Sequence, residues 1–449
     1  MGKLFGTDGI RGVANEYPMT PEMALKFGRA VGHHFGDSGR TAILIGRDTR
    51  ISGQMIESAI AAGCCAMGVD VILAGVIPTP GIAFLTKALG AVAGIVVSAS
   101  HNPYFDNGIK VFDADGFKLS DGMEEALEKS ILGGDLAPAT KSIRETGKID
   151  ILYNDDDRYK KFLKRCLPKR CRFENFKIAL DCANGATYSL APKLFSDLGA
   201  DVYAFYTKPD GKNINDDCGS QHPQNLAKKV KVKGVNIGLA FDGDGDRLIA
   251  VDEKGEVLTG DQILSICARY LKKYGRLKGN TVVSTVMSNM GLGKALQEMG
   301  VENVITGVGD RLVMEEMRKR GAVLGGEESG HTVFLEHQNT GDGLLTALKI
   351  LEIMSIEKKP LSELKKVMTV FPQVLINVDV KSKPPLESLP DVGRAIRQVE
   401  KDLAGKGRVL VRYSGTQPQC RVMVESLNTE DTRFFCGKIA KVIKEIIGS

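Results

Sequence analysis

The alternation of apolar and polar positions repeats one long pattern three times along the chain. An apolar strand ends in a polar loop, an amphipathic helix follows, and a glycine leads into a second apolar strand. The first copy reads AILIGRDTR (42–50), a helix from Ser52, then AMGVDVILA (66–74). The second is FKIALDCANG (176–185) with DLGADVYAF (197–205), and the third is NTVVSTVMSN (280–289) with EMGVENVIT (298–306). In the first helix Ser52 is placed to cap, and Met55, Ile56, Ala59 and Ile60 share one face. Such strand–helix–strand units build parallel sheets through right-handed crossovers.

The tail follows another plan. It predicts a strand over 374–380, a charged helix from about Leu389, strands RVLVR (408–412) and RVMVE (421–425), and a last helix with Phe435, Ile439, Val442 and Ile446 in one stripe. The expected fold class is therefore α/β: three similar α/β domains with mixed or parallel sheets, plus a smaller C-terminal α+β domain, around a central cleft. The predicted boundaries are 1–150, 151–254, 255–368 and 369–449.

With 449 residues, 43% of them hydrophobic, the chain can fill several cores. Sixty basic against 55 acidic residues leave +5, too balanced for nucleic acid or a membrane as partner. The dense Lys228, Lys229, Lys231 and Lys233 read as a solvated helix face, and Asp155 to Asp157 as a solvated turn. Nine cysteines without a CxxC pair fit a reducing cytoplasm, with Cys64 and Cys65 as small core residues. Met1 to Arg11 has no apolar run, so no secretory signal is expected, and the apolar stretch 71–86 is broken by Pro78 and Pro80 and falls short of the ~20 residues of a membrane span.

Four unusual loops each follow an apolar strand: SASHNP (98–103), DGDGDR (242–247), GGEESGH (325–331) and RYSGTQP (412–418). In open α/β sheets the carboxyl edge of the strands is where ligands bind. DGDGDR sets Asp242, Asp244 and Asp246 at alternate positions, where their charges repel unless a hard cation such as Mg²⁺ joins them. The spacing also fits a calcium-binding EF-hand loop ending at Glu253. That reading fails on Arg247, which stands where the loop requires glycine, and on strand-like rather than helical flanks.

SASHNP offers Ser100 as a nucleophile beside His101, and a phosphate on Ser100 would give the cation a further oxygen; alone, the loop reads as readily as a hydroxyl-rich turn. GGEESGH supplies Glu327, Ser329 and His331, groups that suit sugar hydroxyls, or else a tight turn. In RYSGTQP, Arg412, Ser414, Gly415 and Thr416 compose a phosphate cradle, to which Arg421 adds charge. GTDGIRG (6–12) and GVGDR (307–311) add Arg11 and Arg311. No GxSxG or GxxxxGK[ST] motif occurs, which argues against an esterase-type triad and a P-loop kinase.

From FGTDGIRG through SASHNPYFDNGIK, DGDGDR and GGEESGH to RYSGTQP, the chain resembles the α-D-phosphohexomutase superfamily, and most closely its phosphoglucosamine mutase branch. The resemblance implies four domains around a deep cleft. It implies a phosphorylated Ser100, one Mg²⁺ held by Asp242, Asp244, Asp246 and the Ser100 phosphate, and Arg11, His101 and Lys110 beside the phosphoserine. Glu327 and Ser329 would hold the sugar, and Arg412, Ser414, Gly415 and Thr416 its phosphate. The implied reaction interconverts glucosamine 6-phosphate and glucosamine 1-phosphate through a bisphosphorylated sugar, with hexose or glucosamine 1,6-bisphosphate as activator, in a cytoplasmic monomer or homodimer. Arg247 and the cation would neutralise the moving phosphoryl group. Lys110 would serve as base only if its neighbours lower its pKa; His101 titrates nearer neutrality unaided.

The chain departs from the branch at Tyr413 in place of proline, Gln417 in place of an acid, and Glu328 where an amide is common. The rival readings are a phosphomannomutase or phosphoglucomutase of the same superfamily, a non-catalytic sugar-phosphate sensor, and a metal-dependent phosphatase.

Overall fold

The computed structural model describes residues 4–6, 8–36, 42–133, 145–152, 156–169, 171–414 and 418–449. The three repeats become three sheets of one plan. In the first, the parallel strands Ala93–Val97, Ala42–Arg47 and Asp70–Val76 lie side by side, and Asp106–Asp113 joins Ala93–Val97 antiparallel. Ile10–Val13 and Ile149–Ile151 extend this sheet to six strands. The second sheet orders Leu248–Asp252, Ile237–Phe241, Lys177–Asp181 and Asp201–Phe205, and again the strand that directly follows the third parallel strand, Leu248–Asp252, returns antiparallel. The third repeats this with Thr332–Phe334, Leu324–Gly326, Thr281–Thr285 and Glu302–Thr306.

This topology puts three of the unusual loops in equivalent places. SASHNP, DGDGDR and the GEESGH turn each connect the third parallel strand to its antiparallel return. Each leaves the sheet at the carboxyl end of a wholly buried strand, whose neighbours fix where the loop begins.

By compactness the chain divides in two. All three sheets fall in one unit, 1–287 with 301–366, and residues 288–300 with 367–449 form the other. Buried polar ties fasten the sheets of the first unit to one another. Thr49 donates to the Asn184 carbonyl at 2.6 Å, Thr79 to Asp244 at 2.7 Å, and Tyr159 to Asp342 at 2.6 Å. Lys349 reaches the Cys166 carbonyl and pairs with the buried Glu352.

Local expectations meet two corrections. Ile56 and Ile60 are buried as their spacing predicts, but Ser52 makes no cap; its hydroxyl accepts from Asn107 instead. In the last helix, Thr429–Ile447, the buried face is Cys436, Ile439, Ala440, Ile443 and Ile447, so Ile446 points out. The strands it covers, Gln373–Asp379, Gln419–Glu425 and Arg408–Tyr413, form an antiparallel sheet, with Pro390–Leu403 as second helix. The helix Met290–Glu298 belongs to this unit through Glu425, which accepts from the Met290 N–H and pairs with Arg408. All nine cysteines are free thiols. Among the described residues no helix is long and apolar enough to cross a membrane.

Asp342 caps the helix Gly343–Glu357, and burial pushes its carboxyl up to about 6 despite donors at Leu345, Tyr159 and Gln338. A pKa raised on folding contributes stability at low pH that is lost as pH rises from the unfolded value, near 3.8, through 6. Asp342→Asn keeps the cap acceptor and cannot ionise. Its urea-unfolding stability relative to wild type should rise by roughly 2–3 kcal/mol between pH 4 and pH 7.

Candidate active site

Ser100 is buried and sits at φ +52°, in the left-handed region that costs an L-residue ~1–2 kcal/mol. Its neighbours impose that turn. The Ser100 N–H donates to Ser98 Oγ at 2.9 Å, and its carbonyl accepts from Arg50 at 3.1 Å and Asn215 at 2.9 Å. The hydroxyl is thereby aimed at Asp242 Oδ2, 2.6 Å away.

Asp242, Asp244 and Asp246 are all buried, and ligand oxygens of the three lie within 4.8 Å of one another. The glycines between them are required. A Cβ on Gly243 would sit 2.6 Å from the Ser100 carbonyl, and Gly245 takes φ +73°. Oδ1 of both Asp244 and Asp246 is buried with no hydrogen-bond partner among the described residues. Burial, then the charges of Asp246 and Asp244, push the Asp242 carboxyl well above the usual range. Burial acts likewise on Asp246, but Lys110, His331 and Arg247 outweigh it and hold that carboxyl well below the range. Two orphaned carboxylate oxygens facing a crowded like-charge cluster fit a hard divalent cation. Glu253, the acid that the EF-hand spacing required, turns instead to Ser362.

A shell of cations surrounds the cluster. Lys110 is buried and lies 3.0 Å from Asp244, 3.3 Å from Asp8 and 3.5 Å from Asp246. Burial opposes its charge, yet these carboxylates raise its pKa above the usual lysine value, so it is a fixed ammonium. The condition set for Lys110 as a base is not met. His101 also differs from expectation: burial, with Arg247 and Arg11 nearby, lowers its imidazole to about 3, and it stands neutral 3.4 Å from Ser100 Oγ. Arg11 pairs with Asp8 and reaches the Ala99 carbonyl. The Arg247 N–H donates to Asp242 at 3.1 Å, and its guanidinium lies 3.8 Å from Asp246.

His331, expected among the sugar ligands, is buried 3.6 Å from Asp246 and 3.8 Å from Asp310, and accepts the Gly341 N–H. Glu327 accepts from the Gly309 N–H at 3.1 Å, which fixes the sugar-type loop against the glycine-rich GVGDR segment. Ser329 Oγ is buried without a partner among the described residues. Arg311 is spent on Asp121 and Glu124. Sequence reasoning missed Asp8, Lys118 and Asp310, which form a bridge through the lysine, and also Asp48, Arg50, Thr79 and Asn215. The RDTR segment carried the available signal, since it too follows a parallel strand at its carboxyl end.

In the smaller unit, Arg412 and Arg421 face each other across paired strands, and Arg412 Nε is buried without a partner among the described residues. Like charges directly opposite destabilise a sheet, and a bound anion relieves them. Burial, then Arg421, lowers the Arg412 pKa. Arg421 reaches Ser414 Oγ at 3.4 Å, and Lys383, absent from the expected set, donates to the Ser414 carbonyl at 2.6 Å. Tyr413, the departure from the branch pattern, anchors its hydroxyl on the Pro384 carbonyl. Gly415, Thr416 and Gln417 lie outside the described residues.

Family models for phosphoglucomutase/phosphomannomutase match all four parts of the chain: alpha/beta/alpha domain I over 2–137, domain II over 157–255, domain III over 259–371, and the C-terminal domain over 375–442. The chain belongs to the phosphoglucomutase/phosphomannomutase family. Among its relatives, the phosphoglucosamine mutase of Syntrophus aciditrophicus (strain SB) is 55% identical over 449 residues, all of both chains. That of Anoxybacillus flavithermus is 52% identical over 451 aligned residues, again with full coverage of both. A phosphoglucomutase/phosphomannomutase family protein from Burkholderia thailandensis superposes with a TM-score of 0.81 at 26% identity, covering 98% of this chain and 97% of its own. Aspergillus fumigatus N-acetylphosphoglucosamine mutase, solved with GlcNAc-6P and magnesium, shares the fold at TM-score 0.68 and 17% identity, over 98% of this chain and 95% of that one.

Thr79 orients Asp244 from behind through a buried hydroxyl. Removing such an outer partner typically costs about 10–100-fold in metal affinity. Thr79→Val should therefore raise the Mg²⁺ dissociation constant into that range, as measured by titration calorimetry.

Proposed function

We propose that this chain interconverts glucosamine 6-phosphate and glucosamine 1-phosphate. The observation that carries the reading is Ser100 Oγ held 2.6 Å from one of three clustered carboxylates, two of which keep an oxygen without a hydrogen-bond partner among the described residues. The full-length relatives named phosphoglucosamine mutase support the aminosugar as substrate.

Asp242, Asp244 and Asp246 would hold Mg²⁺, and a phosphate on Ser100 would offer it a further oxygen. When bound, the cation supplies charge neutralisation for the phosphoryl group. The remaining work falls to the chain. The oriented Ser100 presents its phosphoryl group to a sugar hydroxyl, giving a bisphosphorylated sugar, and later takes back the other phosphate. Lys110 and Arg11 are fixed positive charges beside the transferring oxygens, and Arg247 adds a third. Phosphoryl transfer asks mainly for such positioning and charge. His101 stands 3.4 Å from Ser100 Oγ; with its imidazole lowered to about 3 it is a poor proton acceptor until the negative charge of a phosphate on Ser100 raises it again. Glu327 and Ser329 bind the sugar, with His331 steadying the metal loop behind them. Arg412, Ser414 and Arg421, with Gly415 and Thr416, bind the phosphate the sugar carries. A hexose or glucosamine 1,6-bisphosphate reloads Ser100 when the intermediate escapes. Nine free thiols suit work in a reducing cytoplasm.

Phosphorus NMR of the purified protein with glucosamine 6-phosphate, Mg²⁺ and a trace of hexose 1,6-bisphosphate tests this. Glucosamine 1-phosphate should appear with wild type and not with Ser100→Ala. Turnover of mannose or glucose phosphate alone would move the substrate within the family. Release of inorganic phosphate without isomerisation would replace the mutase reading with a phosphatase.

A further inference from the structure

Arg50 is among the largest side chains that are wholly buried in the chain, only 1% exposed, and it takes no part in the mechanism above. A guanidinium is costly to bury, and an apolar side chain would fill the space without that cost. Where its donors go is therefore informative. One terminal nitrogen donates to the Pro103 carbonyl at 2.8 Å. The other donates to the carbonyls of Ser100 at 3.1 Å and Asn102 at 2.9 Å. All three acceptors belong to the single loop that carries the nucleophile.

Asp48 completes the device. Its Oδ2 lies 3.0 Å from Arg50 Nε and accepts from Ser98 Oγ at 2.6 Å, while Oδ1 accepts the Arg50 N–H. Ser98 Oγ in turn accepts the Ser100 N–H. Both ends of the Ser100 residue thus lead back to one ion pair, through its carbonyl to Arg50 and through its N–H to Asp48. Asn215, from the second sheet's side, donates to the Ser100 and Asn102 carbonyls as well, at 2.9 and 3.0 Å.

We propose that Asp48 and Arg50, assisted by Asn215, are positioning residues that hold Ser100 in its left-handed conformation and so keep its Oγ on the metal cluster. The inference rests on phosphoryl transfer by Ser100. A φ of +52° is unfavourable for serine unless its surroundings over-determine it, and here every polar backbone group of the residue is claimed. A relaxed Ser100 would turn its hydroxyl from Asp242 while leaving the sugar-binding loops as they are. The expected signature is thus a loss of turnover without a loss of binding.

The test compares Arg50→Lys, which keeps the charge but not the fork, and Asn215→Ala, which is a milder truncation, with Thr49→Val. The last removes a neighbouring buried hydrogen bond between the same two sheets without touching the serine loop. The assay uses whichever hexose phosphate the wild type turns over, with melting temperature recorded for each variant. Displacement of a reacting group by about 1 Å costs on the order of 100-fold. Arg50→Lys should lose about 100-fold in kcat and Asn215→Ala about tenfold, with KM within about threefold, while Thr49→Val keeps kcat within about twofold at a comparable fall in melting temperature. If Arg50→Lys fails to fold, the Asn215→Ala and Thr49→Val pair decides alone. Variants that match wild type in kcat, or kcat losses that track melting temperature across all three, would overturn the proposal and leave the mutase reading standing. A wild type with no phosphoryl transfer to any hexose phosphate would overturn both.

Discussion

Three carboxylates buried within one small volume set the terms for the structure around them. Asp242, Asp244 and Asp246 crowd their ligand oxygens within 4.8 Å, in surroundings that disfavour even one uncompensated charge. The surrounding charges answer that conflict. Lys110 lies against two of the three acids, Arg247 and His331 against Asp246, and Asp8 links Lys110 through Lys118 to Asp310. The same arrangement fixes the chemical character of the flanking groups. Lys110 is held as a cation by the acids, while burial and nearby arginines hold His101 neutral. The two expected proton carriers thus stand in different states, one a permanent charge and the other a neutral imidazole.

The fold delivers this cluster by repetition. Each of the three sheets turns from its third parallel strand into an antiparallel return, and each such turn carries functional groups: the serine, the aspartates, or the Glu327–Ser329 segment. One backbone plan at the carboxyl edge of a sheet has been given three side-chain sets. The smaller unit solves a related problem differently. It sets Arg412 and Arg421 opposite each other in an antiparallel pair, a repulsion that makes sense beside an anion.

Much of this was legible in the chain. Apolar strands that end in Gly- and Asp-rich loops gave the repeats, and the alternate spacing of three aspartates gave the metal cluster. Arg247 at the sixth position removed the calcium-loop reading, and the structure turns Glu253 away to Ser362 as that argument requires. Other features were out of reach. Ser52 has the residue type of a cap, yet the nearby Asn107, distant in sequence, takes its hydroxyl. Ile446 keeps the period of a buried stripe, yet the helix presents Ile443 and Ile447 to the sheet. Arg311 stands out in the sequence as a cation in a glycine-rich setting, but two acids of another segment occupy it.

The sequence by itself determined the elements, the three-fold recurrence of the α/β unit, the separate character of the tail, and which residue types stand in the reactive loops. These depend on neighbours a few positions apart, where periodicity and turn chemistry act. Only the tertiary structure decided the electrostatics: that Lys110 stays charged, that His101 is neutral, that His331 backs the metal loop, and that Asp48 and Arg50 grip the serine. Those outcomes arise from groups far apart in the chain, as with Lys110 and His331, 221 positions apart, about Asp246. A pKa or a backbone strain is set by burial and by charges in space, and neither quantity has a local signature in the chain.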